Sequence, residues 1–90
     1  MNKDKIEKVT ELFEALIDLE VRFYYESETV PNTEIRSIEV NEDGTITIDG
    51  FDNEEYIVEI EDFIDNYSKE GMNYHSWNLA RNFDEAINDL

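Results

Sequence analysis

The first predicted element is an amphipathic helix over residues 4–19. Apolar residues recur there at spacings of three and four, and Lys and Glu fill most positions between them. A repeat of this kind marks one buried face of a helix. From residue 19 the period falls to two, with Val21, Phe23 and Tyr25 at alternate positions. β-branched and aromatic residues in this alternation predict a strand over 20–26, followed by a loop over 26–32.

Two alternating segments in the middle of the chain predict a β-hairpin, with strands over 35–40 and 45–49. The tetrapeptide Asn-Glu-Asp-Gly lies between them. An Asp-Gly pair between alternating segments is a strong hairpin signal, because glycine tolerates a positive φ. The inward positions are Ile38, Val40, Ile46 and Ile48. The outward positions are Glu39, Thr45, Thr47 and Asp49.

Residues 50–71 allow two interpretations. Tyr-Ile-Val at 56–58 is a strong strand triplet, which favours a short fourth strand and then a helix from residue 59. Alternatively, Asp52 caps a longer helix, with Glu55 as its capping-box partner. The first interpretation is preferred. Both end the helix near Lys69, ahead of Gly71, because glycine commonly follows the last turn of a helix.

A second amphipathic repeat predicts the last helix, over 74–89. Asn73 or Ser76 is its expected N-cap. Residues 1–90 are therefore predicted to form one α+β domain, with an N-terminal helix, an antiparallel sheet of three to four strands, and two C-terminal helices. We expect the helices to cover one face of the sheet and solvent to meet the other.

Charge changes this picture more than any other property. The chain has 24 acidic and 7 basic residues, a formal net charge of −17. Fourteen of the acidic residues lie between 26 and 65, where Arg36 is the only basic one. Such a negative field repels nucleic acid and anionic membranes, so the expected partners are cationic. The chain lacks cysteine, an apolar run of about 18 residues and a signal-peptide pattern, so we expect a cytoplasmic protein.

Candidate chemistry is sparse. Positions one, three, five and six of an EF-hand loop would be filled by Glu39, Asn41, Asp43 and Gly44. Gly50, however, stands where that loop needs a bidentate Glu, which argues against calcium. His75 is the only histidine, so a zinc site with several imidazole or thiolate ligands cannot form. Without a nucleophilic triad or a Gly-rich phosphate loop, we expect no enzyme activity, catalytic residue, metal or cofactor.

The acidic stretch itself suggests mimicry of DNA. Duplex DNA carries one negative charge per about 1.7 Å of its axis. Carboxylates at i and i+2 of a strand lie about 6.6 Å apart, and those at i and i+4 of a helix about 5–6 Å apart. These spacings approximate the phosphates along one DNA strand. We expect a partner to bind the hairpin tip and the following turn, through Glu39, Glu42, Asp43, Asp49, Asp52, Glu54 and Glu55. The simpler alternative is a solvated face on a very soluble protein.

In size, charge and order of elements, the chain resembles the type II-A anti-CRISPR proteins, small acidic phage inhibitors that mimic DNA and block Cas9. The closest local similarity is Ile-Glu-Val-Asn-Glu-Asp-Gly at 38–44, which is similar to the strand and Asn/Asp-Gly turn of that family. The resemblance implies that Asp43, with Glu42 beside it, binds the arginines that read the protospacer-adjacent motif. An arginine that reads guanine through two hydrogen bonds can hold a carboxylate in the same way. The acidic 50–62 region and the less acidic last helix depart from the family pattern.

The partner implied by this resemblance is a Cas9-like nuclease in a bacterial host cell, bound by a monomer that has no direct contact with nucleic acid. Two main alternatives remain, beside a third in which the carboxylates serve an enzyme or a magnesium or calcium site. One is an antirestriction protein, although known ones are generally longer. The other is an accessory interaction domain that binds through exposed members of an apolar set: Tyr24, Tyr56, Tyr67, Tyr74 and Trp77.

Overall fold

A computed structural model describes residues 2–90. The elements are α1 (Lys3–Asp18), β1 (Arg22–Tyr25), β2 (Thr33–Val40), β3 (Thr45–Gly50), β4 (Glu55–Glu59), α2 (Ile60–Asn66), β5 (Tyr67–Glu70) and α3 (Trp77–Asn88). The strands form one antiparallel sheet in the order β4-β3-β2-β1-β5. The predicted α+β class is confirmed, and the sheet has five strands where three to four were expected.

The first helix matches its predicted extent. The side chain of Asn2 accepts the backbone N–H of Asp4 at 2.8 Å and caps the N-terminus. One face of α1 is buried, through Val9, Phe13 and Leu16. The ring of Phe13 lies 4.6 Å from that of Phe23 on β1, so the helix packs on the inner face of the sheet.

The predicted central hairpin is confirmed, and its strands bury the side chains that were expected to point inward. Ile38 pairs with Ile48 and Val40 pairs with Ile46, and all four side chains are buried. Gly44 has a φ of 90°, the conformation for which glycine is needed in the turn. A bulge between Ile35 and Ser37 keeps the two halves of β2 on the same inner face.

The preferred interpretation of residues 50–60 is also confirmed. β4 pairs with β3 from Glu55 to Glu59, and the helix starts only at Ile60. Asp52 caps no helix. Its carboxylate instead accepts the N–H of Glu54 at 3.0 Å within the turn between β3 and β4.

The predicted end of the second helix is wrong. α2 stops at Asn66, and residues 67–70 form β5, so Gly71 follows a strand. β5 adds to the sheet beside β1, with Tyr25 opposite Tyr67 and Arg22 opposite Glu70. A strand pairing across more than forty residues leaves no local signal, and it overrides the helical spacing of Tyr67.

Side chains fasten β5 to α3. The Lys69 ammonium lies 2.6 Å from the Asp84 carboxylate, and only 11% of its side chain is exposed. The Tyr67 hydroxyl donates to the same carboxylate, and its ring packs edge-on against Phe83. Burial, and then the neighbouring Asp84 carboxylate, raise the pKa of the Tyr67 phenol well above its usual value.

The last helix starts three residues later than predicted, at Trp77. The Asn73 side chain accepts the N–H groups of His75 and Ser76 at 2.9 and 3.1 Å and so forms a turn ahead of the helix. Ser76 occupies the N-cap position, but its buried hydroxyl accepts the N–H of Asn73 and makes no capping bond to the helix.

One cluster of buried residues lies between the sheet and the helices. α1 packs against both β2 and α3, and Phe23 lies 5.1 Å from Phe83 at its centre. The opposite face of the sheet is open, with Glu39 and Ile57 exposed on it. Within residues 2–90, no helix combines the length and the apolar composition needed to span a bilayer.

Candidate acidic interaction surface

Exposed carboxylates are concentrated on the turns around β3, on β4 and on α2. Residues 37–68 contain eleven acidic residues and neither Lys nor Arg. Nine of the eleven belong to these turns, β4 and α2, and all nine are exposed. We call them the acidic strip: Glu42, Asp43, Asp52, Glu54, Glu55, Glu59, Glu61, Asp62 and Asp65.

The turn between β2 and β3 holds one end of the strip. Asp43 accepts the backbone N–H of Thr45 at 3.1 Å and its hydroxyl at 2.6 Å. The Asn41 amide donates to the hydroxyls of Thr45 and Thr47, both at 3.0 Å. Asp43 therefore helps to build the turn, whereas Glu42 beside it makes no side-chain bond with any described residue.

The turn between β3 and β4 is held in the same way. Asp52 accepts the N–H of Glu54 and, at 3.2 Å, the hydroxyl of Tyr56. Burial, and then this hydrogen bond, raise the pKa of the Tyr56 phenol. Asn53 adopts a left-handed φ of 65°, which Asn tolerates better than most residues. Both ends of the strip are thus ordered by local hydrogen bonds.

β4 and α2 join these two turns. The N–H of Ile60 donates to the carbonyl of Gly44 at 3.1 Å, so the start of α2 lies against the turn that carries Glu42. Ile60 and Phe63 are buried and anchor the helix, which leaves its acidic side chains in solvent. Through this contact the β2–β3 turn, β4 and α2 carry one run of negative charge.

Arg36 is the last basic residue ahead of the strip along the chain, and it is paired within the fold. Its Nε and Nη2 donate to the two oxygens of Asp49 at 3.1 and 3.2 Å. Nη2 also donates to Asn53 at 3.3 Å. The guanidinium, chiefly through its hydrogen bond, lowers the pKa of the Asp49 carboxyl. Asp49 is consequently neutralised from within the fold.

Three of the six other Lys and Arg residues are also paired. Lys5 meets Asp89 at 3.2 Å and Arg22 meets Glu70 at 3.9 Å, in addition to the pairs of Arg36 and Lys69. None of these four pairs involves a member of the strip. Across the described residues, the strip carboxylates therefore lack a cationic partner within the chain.

The seven sequence-predicted residues are divided between the two turns around β3, the start of β4 and the open face of the sheet. Glu42 and Asp43 lie at one end of β3, and Asp52 and Glu54 follow its other end, about 20 Å away for a six-residue strand. Glu55 opens β4. The two remaining residues, Glu39 and Asp49, lie on the open face of the sheet.

Sequence reasoning left out four members of the strip: Glu59, Glu61, Asp62 and Asp65. All four lie within the acidic interval 26–65, but the predicted contacts were confined to the hairpin and the turn that follows it. Their position beside Glu42 depends on the contact between Gly44 and Ile60, which the sequence does not encode locally.

The other sequence candidates are not members of the strip, although Tyr56 lies on β4 and donates to Asp52. His75 is exposed just ahead of α3, and the described residues contain no group of three or more His, Cys, Asp or Glu placed to hold a metal. Of the predicted apolar set, Tyr24, Tyr56 and Tyr67 are half-buried. Tyr74 and Trp77 are 92% and 58% exposed, and Met72 beside them is 43% exposed.

Comparisons with protein-family models, curated proteins and solved structures found no match to this chain.

Proposed function

We propose that the protein is an acidic DNA mimic that binds the basic nucleic-acid-binding surface of a bacterial defence nuclease and blocks DNA binding. The acidic strip supports this proposal, because it presents nine exposed carboxylates on one continuous part of the fold. None of the nine forms an ion pair with a Lys or Arg among the described residues. A net charge of about 2–8 in magnitude suffices for the solubility of a small domain, and this chain has −17.

The spacing within the strip resembles that of a phosphate backbone. Glu55 and Glu59 are four residues apart on β4, which corresponds to about 13 Å. Two phosphates four nucleotides apart on one DNA strand are separated by about the same distance along the helix axis. On α2, Glu61 and Asp65 lie one turn apart, about 5–6 Å between their Cβ atoms. Turns and short elements hold these groups in place, so little ordering entropy is lost on binding.

Arginine is the partner residue that this surface fits best. A guanidinium that binds phosphate or guanine through two hydrogen bonds can take a carboxylate with the same geometry. Because Asp43 is occupied by Thr45, Glu42 is the freer contact at the turn. The resemblance to anti-CRISPR proteins makes a Cas9-like nuclease the first target to test, with a restriction endonuclease as the second.

The test compares two variants with equal loss of charge. The strip variant carries Glu54→Gln, Glu55→Gln, Glu59→Gln and Glu61→Gln. The α1 variant carries Glu7→Gln, Glu11→Gln, Glu14→Gln and Asp18→Asn, all at exposed positions. Each removes four negative charges. The readout is fluorescence anisotropy of labelled target DNA on guide-loaded Cas9, and on the restriction enzyme, with increasing amounts of each protein.

Wild-type protein should displace the DNA, less effectively as salt rises, because ion pairs at the surface are screened. The strip variant should lose at least tenfold in inhibition, and the α1 variant should lose less than threefold. Equal losses in the two variants would show that bulk charge, and not the strip, is responsible. An absence of displacement from both enzymes would overturn the proposed target class.

The exposed group Met72, Tyr74 and Trp77 favours a second candidate, an accessory interaction domain. Aromatic and Met side chains are enriched at the centres of protein interfaces. A partner bound there should dissociate little in 0.5 M NaCl and should be lost with Tyr74→Ala and Trp77→Ala. The strip variant should leave this binding unchanged, which separates the two candidates.

A further inference from the structure

We propose that the outer edge of β4 binds an extended cationic segment of the partner as an additional antiparallel strand, with a Lys or Arg on each side of an apolar residue in the pattern basic-x-apolar-x-basic. This inference rests on the proposed function, since it specifies how the same acidic surface holds its partner. Within residues 2–90, β4 is a terminal strand of the sheet, so one row of its backbone groups has no neighbouring strand there.

Hydrogen bonds at both ends of β4 show which backbone groups are open. Gly50 N–H donates to the Glu54 carbonyl at 3.0 Å, and Ile60 N–H donates to the Gly44 carbonyl at 3.1 Å. Hydrogen-bonded pairs in an antiparallel ladder recur at every second residue. The even-numbered residues of β4 therefore bond to β3, and residues 55, 57 and 59 direct their backbone groups away from the sheet.

The side chains of those three residues lie on the open face. Ile57 is 66% exposed, the largest exposed fraction among the large aliphatic side chains of the described residues. Glu55 and Glu59 flank it, and both are exposed. In an antiparallel pair, directly opposed side chains on one face lie about 4.5–5.5 Å apart. An added strand thus gains two opposite-charge pairs and one apolar pair when basic residues flank an apolar one.

A second copy of this chain is a poor occupant of the edge. Antiparallel pairing of two copies about Ile57 would place Glu55 of one directly opposite Glu59 of the other, twice. Like charges in directly opposed positions destabilise a sheet. Charged residues on an edge strand are a known protection against self-pairing. The edge therefore discriminates between partners by charge, rejecting itself and accepting a basic strand.

Short peptides test the proposal without altering the protein. The patterned peptide is Thr-Lys-Thr-Ile-Thr-Lys-Thr. Its isomer Thr-Lys-Lys-Ile-Thr-Thr-Thr has the same composition and charge, but its lysines fall on opposite faces of a strand. Two further peptides carry an N-methyl group on the patterned sequence: at the isoleucine, whose N–H would face β4, or at a neighbouring threonine, whose N–H would face away.

The measurement is a two-dimensional NMR titration of ¹⁵N-labelled protein at low salt. We expect the patterned peptide to shift the amides of residues 55, 57 and 59 and to slow their hydrogen exchange. It should bind at least tenfold more tightly than the isomer. Methylation at isoleucine should weaken binding about tenfold, the loss of a backbone hydrogen bond together with a steric clash. Methylation at threonine should have little effect.

Other outcomes separate this inference from the proposed function. If all four peptides bind equally and salt weakens them equally, the cationic partner stands and strand addition is wrong. If shifts map elsewhere, or no peptide binds, strand addition is again wrong, and the nuclease assay still decides the function. If the strip variant inhibits the nuclease as well as wild type does, the proposed function fails whichever way the peptides behave.

Discussion

At the scale of single residues, Arg36 distinguishes Asp49, which it holds within the fold, from the strip carboxylates, which no described cation pairs. Its guanidinium holds Asp49 through two hydrogen bonds and holds Asn53 in the next turn. The ring of Phe51 lies 5.7 Å from the guanidinium carbon, within the range of a cation–π contact. Asp49 was predicted as a partner contact, and the structure gives its carboxylate an internal role.

The lowered pKa of Asp49 makes this role measurable. Its ion pair contributes stability above the ordinary carboxyl pKa and loses it as pH falls through the lowered value. We expect Arg36→Gln to raise the pKa of Asp49 towards its usual range. Carboxyl ¹³C shifts followed from pH 7 to pH 2 report the change. Lys3→Gln removes a cation of the distant α1 and is the control, so an equal shift in both variants would contradict a local cause.

Gly50 illustrates a residue whose type is dictated by packing. It is buried in β3, and a Cβ there would lie 2.7 Å from Cγ2 of Thr33 and would also collide with the Asp52 carboxylate. The same residue argued against an EF-hand in the sequence, because glycine supplies no ligand. The structure adds the positive reason for its presence: strand β2 and the next turn close over it.

We expect Gly50→Ala to lower the free energy of unfolding by about 2 kcal/mol, the usual cost of overpacking. Thr33→Ser removes the Cγ2 methyl and keeps the hydroxyl. The double variant should therefore recover part of the loss, relative to the sum of the single variants. Urea denaturation followed by circular dichroism provides the measurement. Strict additivity of the two changes would show that the clash with Thr33 is not the cause.

At the scale of elements, the contrast between the central hairpin and β5 shows what the sequence can predict. The alternation of apolar and polar residues on both sides of an Asp-Gly turn is a local signal. It correctly identified which side chains of β2 and β3 point into the core. Residues 67–70 follow a helical repeat without interruption, yet they form β5. These residues pair with β1, and Lys69 contacts Asp84. Both partners are distant in sequence, so no local pattern predicts these interactions.

The acidic strip was predictable in part, for the same reason. Charge density is visible in the sequence, and the turn residues Glu42 and Glu54 were chosen from it. Which carboxylates lie together depends on the crossing of α2 from β4 to β5 and on its contact with Gly44. Asp43 and Asp52 were correctly placed in turns, but their roles in holding those turns require the hydrogen bonds to be known.

Asp84 should control whether β5 stays in the sheet. It accepts from both Tyr67 and Lys69, and the lysine is largely buried. We expect Asp84→Ala to lower the free energy of unfolding by about 2 kcal/mol, since it leaves a half-buried donor and a buried ammonium without a partner. Hydrogen exchange at residues 67–70 should accelerate more than at β3.

The matched control for this change is Glu85→Ala, an exposed neighbour on the same helix with no side-chain bond to any described residue. It should change stability by less than about 0.5 kcal/mol. If exchange in β5 is unaltered by Asp84→Ala, pairing with β1 alone holds the strand. Backbone pairing with β1 would then be sufficient, without contacts from α3, to make residues 67–70 a strand despite their helical pattern.

At the scale of the whole molecule, the charge of the strip works against the fold that displays it. Adjacent carboxylates on β4 and α2 repel one another, and those on the surface are screened only beyond about 8–10 Å at physiological salt. A net charge of −17 on 90 residues also favours expansion of the chain. The buried aromatic and aliphatic cluster must outweigh this repulsion, so stability should depend on ionic strength.

We expect the melting temperature to rise by about 5 °C or more between 10 mM and 500 mM NaCl, which corresponds to roughly 1 kcal/mol for a domain of this size. The strip variant should melt higher than wild type at 10 mM NaCl and should respond less to salt. The α1 variant loses the same charge from a helix that also carries lysines, so it should respond nearly as wild type does. Scanning calorimetry of the three proteins provides the comparison. Identical salt responses in both variants would mean that the repulsion is spread evenly over the surface, which would remove the physical basis for treating the strip as a distinct binding surface.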